Sequence, residues 1–402
     1  MEIQFSLELY TGSVVESKKK ESIAIIDLGY NSVKISAYDI YKNGHYKKNF
    51  QRQEYVQIGL DLSKNNGLIS KQNIERTASA LLSFRKGLKE QDVDYVIPIA
   101  TSAVRDAINQ KEVIYDLKDQ SGLYFNVLTG PEEGFFSYLG AQSYMHIPNG
   151  LFFDLGGGSM EVMHIQDYKI VKTVCAELGV LRLSEKFIEF DQYKNSDKFI
   201  SRLDYGKLEK TISKNMPLRT QFKLDKSHEL KLVAIGGTAR SIYKFISKVF
   251  VLNLPFSHHH VFLEKRMIDL TNSIFSALSL HEMSNLRFVD PQRSKTITAG
   301  SFVLKILMEK LNFDTMFICP TGIREGVLEH YLYFRMDKKY RKRKKFIEIN
   351  CEPIIVINNN ANKKYPKHSS SSSSTATASA NSNSYAFPRR LESFKVNKLL
   401  AE

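Results

Sequence analysis

Short apolar runs alternate with amphipathic stretches along residues 22–335, the pattern of strands interleaved with helices. Strands are predicted at Ile23–Asp27, Val33–Asp39 and Tyr55–Gly59. Ile74, Ala78, Leu81, Leu82 and Leu88 then recur at helical spacing over Asn73–Lys89. Tyr95–Ala100 reads as a strand running into Thr101-Ser102-Ala103-Val104-Arg105. There Thr101 or Ser102 is a natural N-cap, and Arg105 falls in or near the first helical turn. Tyr124–Leu128 is a further strand. Thr129-Gly130-Pro131-Glu132-Glu133 opens the next helix, with Pro early and acids in the first turn. After the turn Pro148-Asn149-Gly150, strands restart at 151–154, 160–166 and 169–175. Helices near 181–190 and 204–215, a strand over Leu232–Ile235 and a largely helical stretch over 263–312 follow. A strand over Met316–Cys319 and a helix over Gly322–Arg335 complete the pattern.

Within this pattern two stretches nearly repeat each other. Residues 27–35 read Asp-Leu-Gly-Tyr-Asn-Ser-Val-Lys-Ile and residues 154–162 read Asp-Leu-Gly-Gly-Gly-Ser-Met-Glu-Val. Each is a strand, an Asp, a tight Gly-containing turn with a Ser, and a second strand. Such turns aim successive backbone N–H groups into one concavity that suits phosphate oxygens, and the Asp can hold a metal or its waters beside that phosphate. Two copies predict two similar α/β domains, 22–147 and 148–335, gripping one phosphate-bearing ligand between them.

Composition narrows the setting. The chain has 402 residues, 43% of them hydrophobic and 11% aromatic, enough for two domains with real cores. Three widely spaced cysteines, Cys175, Cys319 and Cys351, lack metal-ligand spacing and favour a reducing, cytoplasmic setting. The first ten residues alternate apolar and polar, unlike a secretory signal, and no stretch is apolar enough to span a bilayer. The net charge is +14; residues 336–402 carry 14 Lys and Arg against 5 Asp and Glu, so nine of those charges lie there. This Ser-rich segment is expected to be a flexible tail, either simply solvated or in contact with polyanions, although 346–357 has the apolar content for a strand pair or a helix. His258-His259-His260 are adjacent and lack an acidic partner motif, so a metal site there is disfavoured.

Five elements sit at strand ends or helix starts: Asp27–Ser32, Thr101–Arg105, Thr129–Glu133, Asp154–Glu161 and Gly236–Arg240. Ligands of α/β folds lie at the carboxyl ends of strands, so these five are expected to face one cleft. Their order includes Asp-x-Gly-x-Asn-Ser, Ala-Thr-Ser-Ala-Val-Arg-Asp-Ala, Glu-Glu-Gly and Asp-x-Gly-Gly-Gly-Ser-x-Glu. It continues with Gly-Gly-Thr-Ala-Arg, Asp290-Pro291-Gln292-Arg293 and Gly322-Ile323-Arg324-Glu325-Gly326. Over roughly residues 22–335 the set resembles the exopolyphosphatase / guanosine pentaphosphate phosphohydrolase family. That resemblance implies two ribonuclease-H-like, actin-like domains around an interdomain cleft, with the last helix returning to the first domain.

The resemblance also implies roles. Glu133 matches the catalytic base, with Glu132 the less favoured neighbour, and Arg105 matches an arginine near the scissile phosphate. Asp154 and Glu161 match magnesium-associated carboxylates. Asp27, Gly29, Asn31, Ser32, Thr101, Ser102, Gly156, Gly157, Gly158, Ser159, Gly236, Gly237 and Thr238 match phosphate-binding positions. Tyr30 stands where the bacterial pattern has Ser, and Met160 where it has Thr; both are expected to affect which substrates fit. The expected activity is magnesium-dependent removal of the terminal phosphate of inorganic polyphosphate. Hydrolysis of guanosine pentaphosphate, a non-catalytic polyphosphate or nucleotide sensor, and an ATP-dependent kinase are the alternatives, and a homodimer is left open.

Overall fold

The structure is a computed structural model. It describes residues 18–187, 202–222, 224, 230–250 and 261–336, with the backbone of three further short strands at 354–358, 384–385 and 397–398. The N-terminal alternation, the His258–His260 run, Cys351 and nearly all of the basic tail lie outside the described residues.

Two sheets share one topology. The first comprises β1 (Lys19–Leu28), β2 (Val33–Tyr41), β3 (Tyr46–Glu54), β4 (Tyr95–Ala100) and β5 (Asn126–Val127). Between β3 and β5 lie α1 (Lys71–Glu90), α2 (Ser102–Asp106) and α3 (Gln110–Ser121), and α4 (Gly130–Met145) follows β5. The second sheet comprises β6 (Gly150–Leu155), β7 (Met160–Gln166), β8 (Lys169–Ala176), β9 (Lys231–Ile235), β10 (Val261–Glu264) and β11 (Thr315–Ile318). Its helices are α5 (Val180–Phe187), α6 (Arg202–Asn215), α7 (Gly237–Val249), α8 (Lys265–Ala277), α9 (Leu280–Asn285), α10 (Ser294–Leu311) and α11 (Ile323–Arg335). In the first sheet β3, β2 and β1 are antiparallel and β4 and β5 follow in parallel. In the second, β8, β7 and β6 are antiparallel, and β9 and β11 follow in parallel. The sequence repeat is therefore a repeat of a whole sheet. Strand β12 (Ile354–Asn358) adds in parallel to β8, β13 (Ser384–Tyr385) pairs with β12, and β14 (Asn397–Lys398) pairs with β4.

Strand alternation builds three cores. Ala24, Ile26 and Leu28 face Ile74, Leu81 and Leu117 of α1 and α3. Ile23 and Ile25 point the other way, into a layer with Phe135 and Leu139 of α4, Leu328 and Leu332 of α11, and Phe152 and Val233 of the second sheet. Phe153, Val162 and Leu232 face Ile242 of α7 and Leu307 of α10. Helices α4 and α11 thus lie between the sheets, which explains why α4 is buried on nearly every side. Helix α11 contacts the first sheet: Tyr38 Oη donates to Glu325 Oε1 at 2.8 Å, and Tyr46 Oη donates to Glu329 Oε1 at 3.1 Å.

Some expected elements differ. The third strand is Tyr46–Glu54, not Tyr55–Gly59. That strand is a largely exposed edge with no core-facing alternation to announce it. Residues 57–59 instead pin the first turn, where Gln57 and Gly59 donate their backbone N–H to the carbonyls of Asn31 and Tyr30. The strand expected over Tyr124–Leu128 contracts to Asn126–Val127.

Candidate active site

The carboxyl ends of β1, β4, β6 and β9 meet between the two sheets. In the first turn the Gly29 N–H donates to Ser32 O at 3.0 Å, and in the second the Gly156 N–H donates to Ser159 O at the same distance. Their corners, Tyr30-Asn31 and Gly157-Gly158, face each other. A Cβ on Gly157 would lie 3.1 Å from Tyr30 Cβ, and one on Gly158 would lie 2.6 Å from Ser102 Oγ. The strand register is also duplicated: Asp27 pairs with Lys34 as Asp154 pairs with Glu161. Carboxylates thus sit at both β1 and β6 ends, but the position across the hairpin is a cation in one copy and an acid in the other.

Helix α4 brings in Glu133. Thr129 caps it, and Glu132 closes a capping box by accepting from the Thr129 N–H and hydroxyl, both at 2.8 Å. Glu132 is committed to the cap, whereas Glu133, one residue on, points into the cleft and accepts from Arg105 Nη1 at 2.7 Å. Arg105 is fixed from both lobes. It donates to Leu128 O at 3.1 Å and to Ser159 Oγ at 3.4 Å, and lies 3.9 Å from Glu161. Burial opposes its charge, but Glu133, Asp106 and Glu161 outweigh that cost and hold it protonated.

Glu133 and Glu161 are buried, and Asp154 is half-buried. Burial pushes Glu133 up to about 7, against the pull of Arg105. Glu161 is raised well above the carboxylate range by burial and then by Glu133. Asp154 is raised by burial, with Ser137 and Lys34 pulling back. Ser137 lies one turn beyond Glu133 on α4 and donates to Asp154 Oδ2 at 2.5 Å. Both carboxyl oxygens of Glu161 are buried and lack a hydrogen-bond partner among the described residues. Asp154 and Glu161 therefore fit a divalent cation of the magnesium type, which takes one or two carboxylates and fills its shell with water and phosphate. No cluster of three His, Cys, Asp or Glu side chains among the described residues suits a metal by itself.

Others of the expected residues lie at the starts of α2 and α7. Thr101 and Ser102 are buried at the start of α2, with Thr101 at the cap position but making no side-chain cap bond. Gly236 adopts φ 104°, and a Cβ there would fall 2.8 Å from Asp154 Oδ1, so this turn presses on the carboxylate. Gly237 abuts Arg293, while the Thr238 methyl packs toward Gly300 of α10. Met160 is not part of the second cradle: its side chain is buried in the core under β7, because it follows the turn on the strand's inner face.

Sequence reasoning gave no role to Lys34, Ser137, Arg182 or Arg324. Lys34 is lowered to about 8 by burial, with Arg324, Arg293 and Arg240 adding to the shift and Asp27 opposing it. Arg324 lies 3.9 Å from Asp27. The signal for Lys34 was its equivalence to Glu161 in the repeat, and that for Arg182 was the run Leu178-Gly179-Val180-Leu181-Arg182, which also resembles the family; Ser137 left no local signal.

The surroundings of this cleft match known proteins. The chain is 26% identical over 318 residues to a bifunctional 3-dehydroquinate synthase/phosphatase of Fusobacterium nucleatum, the match covering 76% of the chain and 46% of that longer relative. It is 22% identical to exopolyphosphatase 1 of Mycobacterium leprae, over 76% of the chain and 88% of the relative. A crystal structure of an exopolyphosphatase from Cytophaga hutchinsonii shares the fold with a TM-score of 0.68 at 20% identity, covering 79% of this chain and 99% of that one. The family model of the Ppx/GppA phosphatases matches residues 40–333. With its duplicated turns and two actin-like lobes, the chain belongs to the Ppx/GppA phosphatase family, hydrolases of phosphoanhydride bonds.

Proposed function

We propose that the chain is an exopolyphosphatase that cleaves the terminal phosphoanhydride of inorganic polyphosphate with magnesium. The observation that carries this reading is the pair of buried Glu133 and half-buried Arg105 beside both phosphate turns. The exopolyphosphatase of M. leprae, similar over most of its length, supports the substrate class.

Glu133 orients a water in line with the terminal phosphorus and takes its proton. Its raised pKa makes it a competent base near neutral pH, because a carboxylate held near 7 binds a proton more firmly than an ordinary one. Arg105 offsets charge on the transferring phosphoryl group, and the N–H groups of the two turns hold its oxygens in place. Lys34, beside Asp27, and Arg324 add positive charge toward the leaving phosphate. Asp154 and Glu161 would hold a magnesium ion, which would supply further charge neutralisation.

The test is orthophosphate release from long-chain polyphosphate, with guanosine pentaphosphate in parallel, with and without magnesium, for the wild-type chain and Glu133→Gln. Release from polyphosphate that requires magnesium and is lost in Glu133→Gln, while tripolyphosphate still binds, is the expected result. Preference for the nucleotide, or binding with no turnover by the wild type, refutes the proposal.

A further inference from the structure

Tyr30 occupies a corner of the first phosphate turn, and its ring is 1% exposed. It fits there because two other positions lack a side chain. A Cβ on Gly59 would lie 2.5 Å from the ring, and a Cβ on Gly158 would lie 2.3 Å from it. Gly59 belongs to the segment following β3, whereas Gly158 is a corner of the second turn, so the ring fills the seam between the two lobes.

The Arg182 guanidinium of α5 lies over the same ring, 5.4 Å from its centroid. Arg182 Nε donates to Gly158 O at 2.9 Å, and Nη2 pairs with Asp106 Oδ2 at 2.6 Å. Asp106 Oδ1 in turn lies 3.5 Å from Arg105 Nε. A chain of contacts therefore runs from the second turn, through Arg182 and Asp106, to the arginine beside Glu133, and the ring of Tyr30 is the surface on which Arg182 rests.

We propose that Tyr30 is a positioning residue for the hydrolytic site, a wedge that seats Arg182 and sets the spacing between the two phosphate turns. The inference rests on the phosphoanhydride reading of the cleft. A serine in its place would leave a ring-sized void in the seam, and the guanidinium would lose its stacking partner. The donors of the second turn would then no longer be held at a fixed distance from the first, which loosens the grip on the substrate phosphate. The Tyr30 hydroxyl is buried without a hydrogen-bond partner among the described residues, so the ring and not the hydroxyl is the working part.

The experiment measures tripolyphosphate binding by calorimetry in magnesium, and KM and kcat for orthophosphate release, in the full-length wild type and its variants. Tyr30→Phe is expected to stay within about twofold of wild type in both readouts, since it keeps the ring and drops only an unpartnered hydroxyl. Tyr30→Ser is expected to weaken Kd and raise KM about tenfold, with kcat changed less than about threefold, from the lost packing and cation–π contact. Gly59→Ala, whose Cβ displaces the ring, moves KM in the same direction and decides the matter if Tyr30→Ser does not fold. Wild-type affinity in Tyr30→Ser, or equal damage from Phe and Ser, overturns the wedge. A wild type that binds but releases no orthophosphate refutes the proposed reaction instead, and the Kd series still decides the role of Tyr30.

Discussion

Ser137 Oγ lies 2.5 Å from Asp154 Oδ2, and Ser137 sits four residues after Glu133 on α4. One helix face thus presents the proposed base directly and steadies a second carboxylate through a hydroxyl. Ser137 is fully buried, so no water replaces it easily. Ser137→Ala is expected to leave Asp154 less well oriented and to raise the magnesium concentration for half-maximal orthophosphate release about tenfold, the usual scale for losing a support of a metal ligand. Titrating activity against magnesium checks this. A titration matching wild type would remove Asp154 from the metal's contacts.

Glu132 and Glu133 are adjacent acids with separable duties. Glu132 accepts two hydrogen bonds from Thr129 at 2.8 Å, so Glu132→Ala is expected to cost about 1 kcal/mol of stability through the lost cap. Its turnover should stay within about threefold of wild type, because no reacting group depends on it directly. Glu133→Gln is expected to lower kcat by at least about 100-fold, as loss of a general base does. Its melting temperature should change little. Melting curves and phosphate release on the two variants separate the roles, and the reverse pattern would give the base to Glu132.

The parts of this site readable from sequence were those with local signatures. The turns at Asp27–Ser32 and Asp154–Ser159 announce themselves through Asp, Gly and Ser between apolar runs, and the start of α4 through its early Pro131 and the acids of its first turn. The order of motifs pointed to a shared cleft for Glu133 and Arg105, but their direct ion pair, formed across 28 residues, is visible only in the fold. What escaped depends on the fold. Lys34 enters the cleft because antiparallel register sets it opposite Asp27. Arg182 meets Asp106 across 76 residues. Helix α4 is buried on nearly every side, so its apolar positions show no stripe, and the exposed edge strand Tyr46–Glu54 shows no alternation.

The helices α4 and α11 cross at glycines. A Cβ on Gly326 would fall 1.7 Å from Phe136 O, and one on Gly140 would fall 2.0 Å from Gly322 O. Backbone cannot yield as a flexible side chain does, so Gly326→Ala must push the two helices apart. The expected cost is about 1–3 kcal/mol, the range for overpacking a tight contact. Because α4 carries both Glu133 and Ser137, kcat should fall in the molecules that remain folded. Thermal melting paired with kcat measured well below the transition checks this. A normal melting temperature would mean the crossing is looser than the backbone distances indicate.

His330 on α11 is fully buried, and neither ring nitrogen has a hydrogen-bond partner among the described residues. Its neighbours are Phe135, Phe136 and Phe334, with ring centroids 5.9, 5.5 and 4.9 Å away. Burial pushes its pKa down to about 4, whereas the unfolded chain titrates near 6.5. Between those values the unfolded state binds the proton and the folded state does not. Stability is therefore full above about pH 6.5, falls as the pH drops toward 4, and stops falling from this source below it. A shift from about 6.5 to about 4 corresponds to about 3 kcal/mol. His330→Leu keeps the apolar contacts and removes the titrating group. It is expected to flatten denaturant stability between pH 6.5 and 4 and to be more stable than wild type at pH 5. A wild-type slope in that variant would transfer the acid sensitivity to His164, the other imidazole lowered by burial, because the raised cleft carboxylates change stability in the opposite direction.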